Sequence, residues 1–374
     1  MKISVVLGTR PEVIKLAPVI LEAKRRGHKV QVIFTGQHRE MATRLLQYFG
    51  IKPNIDLKAM MKNQGLTDLS ARILDRLEKN GKRIFTDCLL VQGDTTSAFI
   101  AAYWAFCQKI PVAHVEAGLR TFDLTAPFPE EANRQLISRI ASLHFAPTER
   151  AVQALLNEGI PQGKIFQVGN SGIDALLHVL SEKNSKKIPK SERLDPSILP
   201  WVGSRKLVLV TAHRRESFGS GFEGIAEGLK RIVDTREDTV IVYPVHPNPN
   251  VRKIIMKKLG RHPRIRLCEP LPYIGFVQLM ERADVLVTDS GGIQEEAPTL
   301  GKLAVVLRTT TERPEGVKMG FSKLVGTQPD LISSETLKAI EKQDVPKLPN
   351  PYGDGQTSRK IVDLMEKFAI PRYL

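Results

Sequence analysis

Cysteine is scarce in this 374-residue sequence: Cys88, Cys107 and Cys268 are odd in number and never form a CxxC pair. That excludes a disulfide framework and a Cys-based zinc site, leaving reduced thiols that act as small buried hydrophobes. Aromatic residues make up only 6%, too few for a platform that stacks successive bases. No apolar run approaches the roughly 18 residues of a membrane span. The N-terminal MKISVVLGTRPE reaches charged residues too early for a secretory signal. A cytoplasmic protein with no membrane partner is therefore expected. Metal ligation also lacks its patterns, since neither a DxD pair nor HxxxH occurs.

What is present describes an ordinary globular protein, with 42% hydrophobic and 25% charged residues and length for two domains. A net charge of +15 and a pI near 9.7 raise the question of an acidic partner or substrate. The lysines and arginines are dispersed apart from SEKNSKKIPKSER at 181–193, expected to be an exposed loop. No nucleic-acid motif or compact basic run accompanies them, so no specific nucleic-acid partner is expected.

Short apolar runs alternate with helically spaced segments. In the first half the runs are 2–7, 29–35, 88–92, 111–115, 143–146 and 165–168, separated by helical patterns such as 11–26, 66–80, 94–108, 130–141 and 148–158. The runs are nearly continuous in apolar residues, as strands buried on both faces must be. After a polar, Pro- and Lys-rich stretch around 183–200 the rhythm restarts at 206–211, 240–245, 265–268, 285–288 and 303–307. The expectation is an α/β protein of two Rossmann-like, doubly wound domains. Ligands in such sheets bind beyond the carboxyl ends of the strands, so those positions are the ones to inspect.

The first run leads into Gly8-Thr9-Arg10-Pro11-Glu12 with Lys15 a turn later. Arg10 and Lys15 are candidate contacts for a phosphate or carboxylate, or simply parts of a capped helix. No GxGxxG or P-loop pattern follows this strand. Later ends supply Gly93-Asp94-Thr95-Thr96, Glu116-Ala117-Gly118-Leu119-Arg120, and a helix opening with Glu130-Glu131-Ala132-Asn133-Arg134. One carboxylate at a helix start is commonly a cap. Three at one edge could raise one another's pKa and divide acid and base roles. In the second half, His213 follows a strand beside Arg214 and Arg215, and His246 takes the matching place in YPVHPNPN.

The stretch VTDSGGIQEEAPTLG at 287–301 passes from a strand through Ser290-Gly291-Gly292 into a helix, a turn suited to holding an anion. Glu295 and Glu296 follow it. Adjacent helical residues point about 100° apart, so only one of them can face a ligand.

Taken together, GTRPEVIKLAP, TGQHREM, VQGDTT, HVEAGLRT, PFPEEANR, AHRRESFG, YPVHPNPNVR, TDSGGIQEEAPTLGK, TTERPEG and NPYGDGQTS resemble the non-hydrolysing bacterial UDP-N-acetylglucosamine 2-epimerases, in order and over nearly the whole chain. The resemblance implies the GT-B arrangement, with an active-site cleft between domain 1–170, joined by a C-terminal helix at about 358–374, and domain 171–357. It implies interconversion of UDP-GlcNAc and UDP-ManNAc through a 2-acetamidoglucal intermediate, with no metal or NAD, for cell-surface polysaccharide synthesis. Asp94, Glu116, Glu130 and His213 match the acid–base set. Arg10, Lys15, Arg134, His246 and Arg313 match substrate contacts, Ser290, Gly291 and Gly292 the phosphate site, Phe276 the uracil site and Glu296 the ribose site. Glu295 is expected to turn toward solvent or a neighbouring Arg. Gln37, His38 and Arg72 match a second, activating UDP-GlcNAc site, and a homodimer is implied.

The chain departs from the commonest pattern at Gln92, Ala212 and Thr309, which leaves a UDP-2,3-diacetamido sugar open as substrate. A GT-B glycosyltransferase using UDP-GlcNAc, a hydrolysing epimerase and a non-catalytic nucleotide-sugar sensor are the other readings.

Overall fold

The computed structural model describes residues 1–37, 39–61, 64–182, 188–342 and 344–368. They divide into two compact units, Met1–His178 with the chain from Tyr352 onward, and Val179–Pro351.

The first unit holds seven strands: β1 (Lys2–Leu7), β2 (Lys29–Phe34), β3 (Ile55–Asp56), β4 (Cys88–Gln92), β5 (Val112–Val115), β6 (Leu143–Ala146) and β7 (Ile165–Gln167). They pair in parallel in the order β3-β2-β1-β4-β5-β6-β7. The second unit holds β8 (Lys206–Thr211), β9 (Thr239–Pro244), β10 (Ile265–Cys268), β11 (Val285–Thr288), β12 (Leu303–Val306) and β13 (Ser322–Leu324), parallel in the order β10-β9-β8-β11-β12-β13. These are the two doubly wound α/β sheets expected. Every residue of β4 and β5 is buried, because helices cover both faces and leave no polar side for alternation. The apolar runs missed β3 and β13, edge strands of two and three residues that include Asp56, Ser322 and Lys323 and cannot carry a run.

Both strand orders reverse direction once, between β1 and β4 and between β8 and β11. At such a switch point adjacent strands send their following loops to opposite faces and open a crevice at the carboxyl edge. That brings together residues distant in sequence: the loops after β1 and β4 in one unit, and those after β8 and β11 in the other.

The helix Thr357–Lys367 belongs to the first unit. The Asp174 carboxylate accepts the Ser358 N–H at 2.7 Å and the Thr357 N–H at 3.3 Å, capping its orphan donors. Arg26 reaches Asp363 at 2.5 Å and Glu366 at 3.0 Å. The remaining residues of the expected C-terminal helix, 369–374, lie outside the described residues.

One sequence reading needs correction. Residues 183–187 of the basic stretch are outside the described residues, but its later part is not exposed throughout: Ile188 and Glu192 are 4% and 3% exposed, and Leu194, just after it, is 9% exposed. The apolar pair bracketing the turn Lys190–Glu192 draws it inward. A GxGxxG does occur, at 219–224 where helix Ser220–Thr235 begins, but it does not directly follow a strand. A Cβ on Gly224 would lie 2.3 Å from the Thr327 carbonyl oxygen, so close packing requires this glycine. No described helix is long and apolar enough to cross a membrane.

Candidate active site

In the first unit the site grows from the ends of β1, β4 and β5. Thr9 caps helix Arg10–Arg25 in a capping box with Glu12, and Pro11 fits the first turn. The Glu12 carboxylate, 1% exposed, accepts from Gly8 N (2.8 Å), Thr9 N (2.7 Å), Thr9 Oγ1 (2.9 Å) and, across the switch point, Thr95 Oγ1 (2.6 Å). Burial pushes this carboxyl up, outweighing those hydrogen bonds. Glu12 thus ties the β1 loop to the N-cap of helix Thr96–Cys107. It was quoted in the sequence without a role; the S/T-x-x-E spacing of a capping box was the available signal.

Lys15, one turn further along, forms an ion pair with Glu116, whose other oxygen accepts from the Gln92 amide. Glu116 has φ +64°, a left-handed conformation that costs a non-glycine residue energy and is often found at functional positions. It is held by one cation and one neutral donor. Asp94 accepts from Arg134 Nε at 2.7 Å, while Asn133 donates to the Asp94 carbonyl at 2.8 Å. Arg134 is only 7% exposed, so its expected substrate contact is at least shared with an internal one. Glu130, one turn before Arg134 on helix Glu130–Ile140, is half-buried.

Its neighbour Glu131 is fully buried and accepts from Thr121 N (3.0 Å), Phe122 N (3.2 Å) and Gln135 (3.0 Å). Burial opposes its charge, but those donors and Arg134 hold the carboxyl below its usual range. Glu131 therefore anchors the preceding loop, and Glu130 is the more exposed member of the pair. Behind the set, buried His114 lies 2.8 Å from the Gly93 carbonyl and supports the turn that carries Asp94.

In the second unit, β8 and β11 end in register, Thr211 opposite Thr288, with their hydroxyls 2.7 Å apart. The next residues outward are His213 and Asp289. Buried Asp289 Oδ2 accepts the backbone N–H of His213 (2.6 Å) and of Arg214 (2.8 Å), and Oδ1 lies 3.1 Å from His213 Nδ1. The His213 side chain is 46% exposed. His246, beyond β9, stacks on it with ring centroids 5.7 Å apart and planes at 24°. Burial, then the neighbouring His213, push the His246 imidazole down.

Ser290 begins the helix Gly291–Glu296, with Gly292 exposed. A Cβ on Gly291 would lie 2.8 Å from the Arg313 guanidinium carbon, so this glycine admits Arg313. Arg313 pairs with Glu295 (2.8 Å) and Glu312 (2.5 Å). Glu295 is accordingly buried against an arginine, the second of the two places the sequence allowed. Glu296 is half-buried and accepts from Tyr273 OH at 3.3 Å. Phe276 is half-buried on helix Tyr273–Arg282. Arg10 opens its helix, half-buried. Gln37 accepts from Ser97 Oγ at 2.9 Å, and the buried Nε of Arg72 has no partner among the described residues. His38 lies outside them. No group of three or more His, Cys, Asp or Glu among the described residues is placed to hold a metal.

Residues 21–366 match the family model described as UDP-N-acetylglucosamine 2-epimerase. The chain belongs to this family. It is similar to a UDP-N-acetylglucosamine 2-epimerase of Escherichia coli, 46% identical over 372 residues and 98% of both chains. It is also similar to the crystal structure of UDP-GlcNAc 2-epimerase from Neisseria meningitidis bound to UDP-GlcNAc, at 44% identity and a TM-score of 0.89, covering 98% of this chain and 100% of that one. The Methanocaldococcus jannaschii enzyme in complex with UDP-GlcNAc and UDP is 33% identical, with a TM-score of 0.82 over 98% of this chain and 100% of that one. Within this epimerase family chain, the residues that sequence reasoning left without roles are Glu12, Gln92, Glu131 and Asp289. All four hold another group in place, and among them only Glu12, through its capping-box spacing, left a signal in the sequence.

Proposed function

We propose that this protein interconverts UDP-GlcNAc and UDP-ManNAc. The observation that carries the reading is the gathering of Asp94 and strained Glu116 beside Lys15 and Arg134 at one sheet edge, in a chain that shares 46% identity with an enzyme of that name. Proton removal from C2 of a sugar needs positioned carboxylates, and departure of UDP needs its charge stabilised.

In the reaction, one member of the set Asp94, Glu116, Glu130 and His213 takes the C2 proton. The C1–O bond to UDP breaks with its electron pair, and a C1=C2 double bond forms. Return of a proton to the other face of C2 and re-addition of UDP at C1 complete the inversion. Ser290, Gly291, Gly292, Arg313, His246 and Arg10 are assigned to the diphosphate and sugar, Glu296 to the ribose and Phe276 to the uracil. The product supplies activated ManNAc for cell-surface polysaccharide.

The test is incubation with UDP-GlcNAc alone in heavy water, followed by NMR. UDP-ManNAc with deuterium at C2 is expected. Free ManNAc with UDP, or no turnover until an acceptor is added, would replace the reading with a hydrolase or a transferase. Faster turnover of a UDP-2,3-diacetamido sugar would change the substrate.

Gln37, His38 and Arg72 are assigned to an activating UDP-GlcNAc site; hyperbolic kinetics with UDP-ManNAc alone would count against it. A homodimer is inferred as well, supported by Tyr103 and Phe106, 44% and 43% exposed on the apolar helix Thr96–Cys107. A sedimentation mass of one chain would overturn it.

A further inference from the structure

The buried carboxylate of Asp289 has no role in the acid–base set, yet His213 is built onto it. Register between β8 and β11 sets their following loops side by side. One carboxylate oxygen takes the backbone N–H groups of His213 and Arg214, at 2.6 and 2.8 Å. The other, buried, takes no hydrogen bond of good geometry and lies 3.1 Å from the His213 Nδ1. We propose that Asp289 is the positioning residue for His213, holding the imidazole with its proton on Nδ1 and leaving Nε2 as the nitrogen that exchanges a proton with substrate. This rests on the reading of His213 as part of the acid–base set.

The chemistry of the pair supports the assignment. Nδ1 lies 3.1 Å from a carboxylate oxygen of a residue that is 1% exposed, where an acceptor with no donor would leave buried charge uncompensated. Burial alone would push the Asp289 carboxyl up, but the His213 imidazole and the two backbone donors hold it below its usual range, so it stays ionised. A carboxylate behind one ring nitrogen fixes the tautomer and steadies the imidazolium when the other nitrogen takes a proton. His246 carries the complementary arrangement. Its Nδ1 accepts the Asn248 N–H at 3.2 Å, which puts the proton of the neutral ring on Nε2. The stacked pair therefore offers one Nε2 that accepts and one that donates.

Two measurements test the positioning role. Nitrogen-15 NMR of histidine-labelled protein, with the His213 signals assigned by their loss in His213→Gln, is expected to show a neutral ring protonated at Nδ1; protonation at Nε2 overturns the proposal, whether or not any variant folds. Kinetically, Asp289→Asn keeps the shape but turns an N–H toward Nδ1 and favours the wrong tautomer. It is expected to lower kcat by about 10²- to 10⁴-fold with KM within about threefold. Added to His213→Gln it should cost less than about threefold more, because both changes disable one unit. A full multiplicative loss in the double variant, or near-normal kcat in Asp289→Asn, overturns the proposal. Should the wild type make no UDP-ManNAc, the functional reading falls, while the tautomer still decides the positioning.

Discussion

Glu295 and Glu296 are adjacent, yet they differ in what surrounds them. Glu295 is buried against Arg313, so its removal would cost that guanidinium one of its two carboxylate partners and leave the pair with Glu312. Glu296 is half-buried and accepts a hydrogen bond from Tyr273 at 3.3 Å. Glu296→Gln should weaken UDP binding roughly tenfold by calorimetry, the size of losing one or two charge-assisted hydrogen bonds, with the C2 proton exchange step little changed. Unchanged affinity would remove Glu296 from the nucleotide site. For the acid–base set, Glu116→Gln and Asp94→Asn should each lower kcat at least about 100-fold while substrate affinity moves only a few-fold. Near-normal turnover in both would end their assignment. Glu116→Gln retains the size of the side chain but loses its ion pair with Lys15, so a thermal melt of the variant separates chemistry from folding.

Helix termini and strand ends carry this molecule's polar architecture. The cap supplied by Asp174 is one case. Burial pushes its carboxyl up, opposed by hydrogen bonds from Ser358 and Thr357. Asp174→Ala leaves those N–H groups unsatisfied at the start of helix Thr357–Lys367. It should lower stability by about 1–2 kcal/mol, read as a lower midpoint in urea with the same slope. A helix–coil change confined to this element would show as faster amide exchange at Ile361 and Val362 and their neighbours, which are buried in the intact structure.

The molecule as a whole should be sensitive to mild acid. His114 and His144 are opposite one another in β5 and β6. Burial pushes His114 down to about 4 and His144 down to about 3, from an ordinary 6.5. Both are neutral in the fold but would bind protons in the unfolded chain below pH 6.5. The unfolded state therefore holds more protons between pH 6.5 and about 4 for His114, and down to about 3 for His144. Stability falls as pH drops through that window and is unaffected by this pair above it. Each full excursion costs a few kcal/mol. Urea unfolding at pH 7.5 and 5 should show the drop, and His144→Leu should make it smaller. An unchanged drop would mean that other groups set the acid limb. His114 is the poorer choice for substitution, because it supports the Gly93 carbonyl beside Asp94.

By itself the sequence determined the two α/β sheets, since strands covered on both faces must be apolar throughout and their helices amphipathic. It also determined the family, through motifs whose order spans the chain, and put Asp94, Glu116, His213 and His246 just beyond strand ends. Only the tertiary structure decided what touches what. Glu12 meets Thr95, and Asp289 meets His213, because parallel strands 80 or so residues apart in sequence lie side by side at a switch point. The structure also decided which acid of each adjacent pair is internal: Glu131 rather than Glu130, Glu295 rather than Glu296. Both choices follow from the 100° between neighbours on a helix and from where a buried donor waits, and composition and spacing record neither.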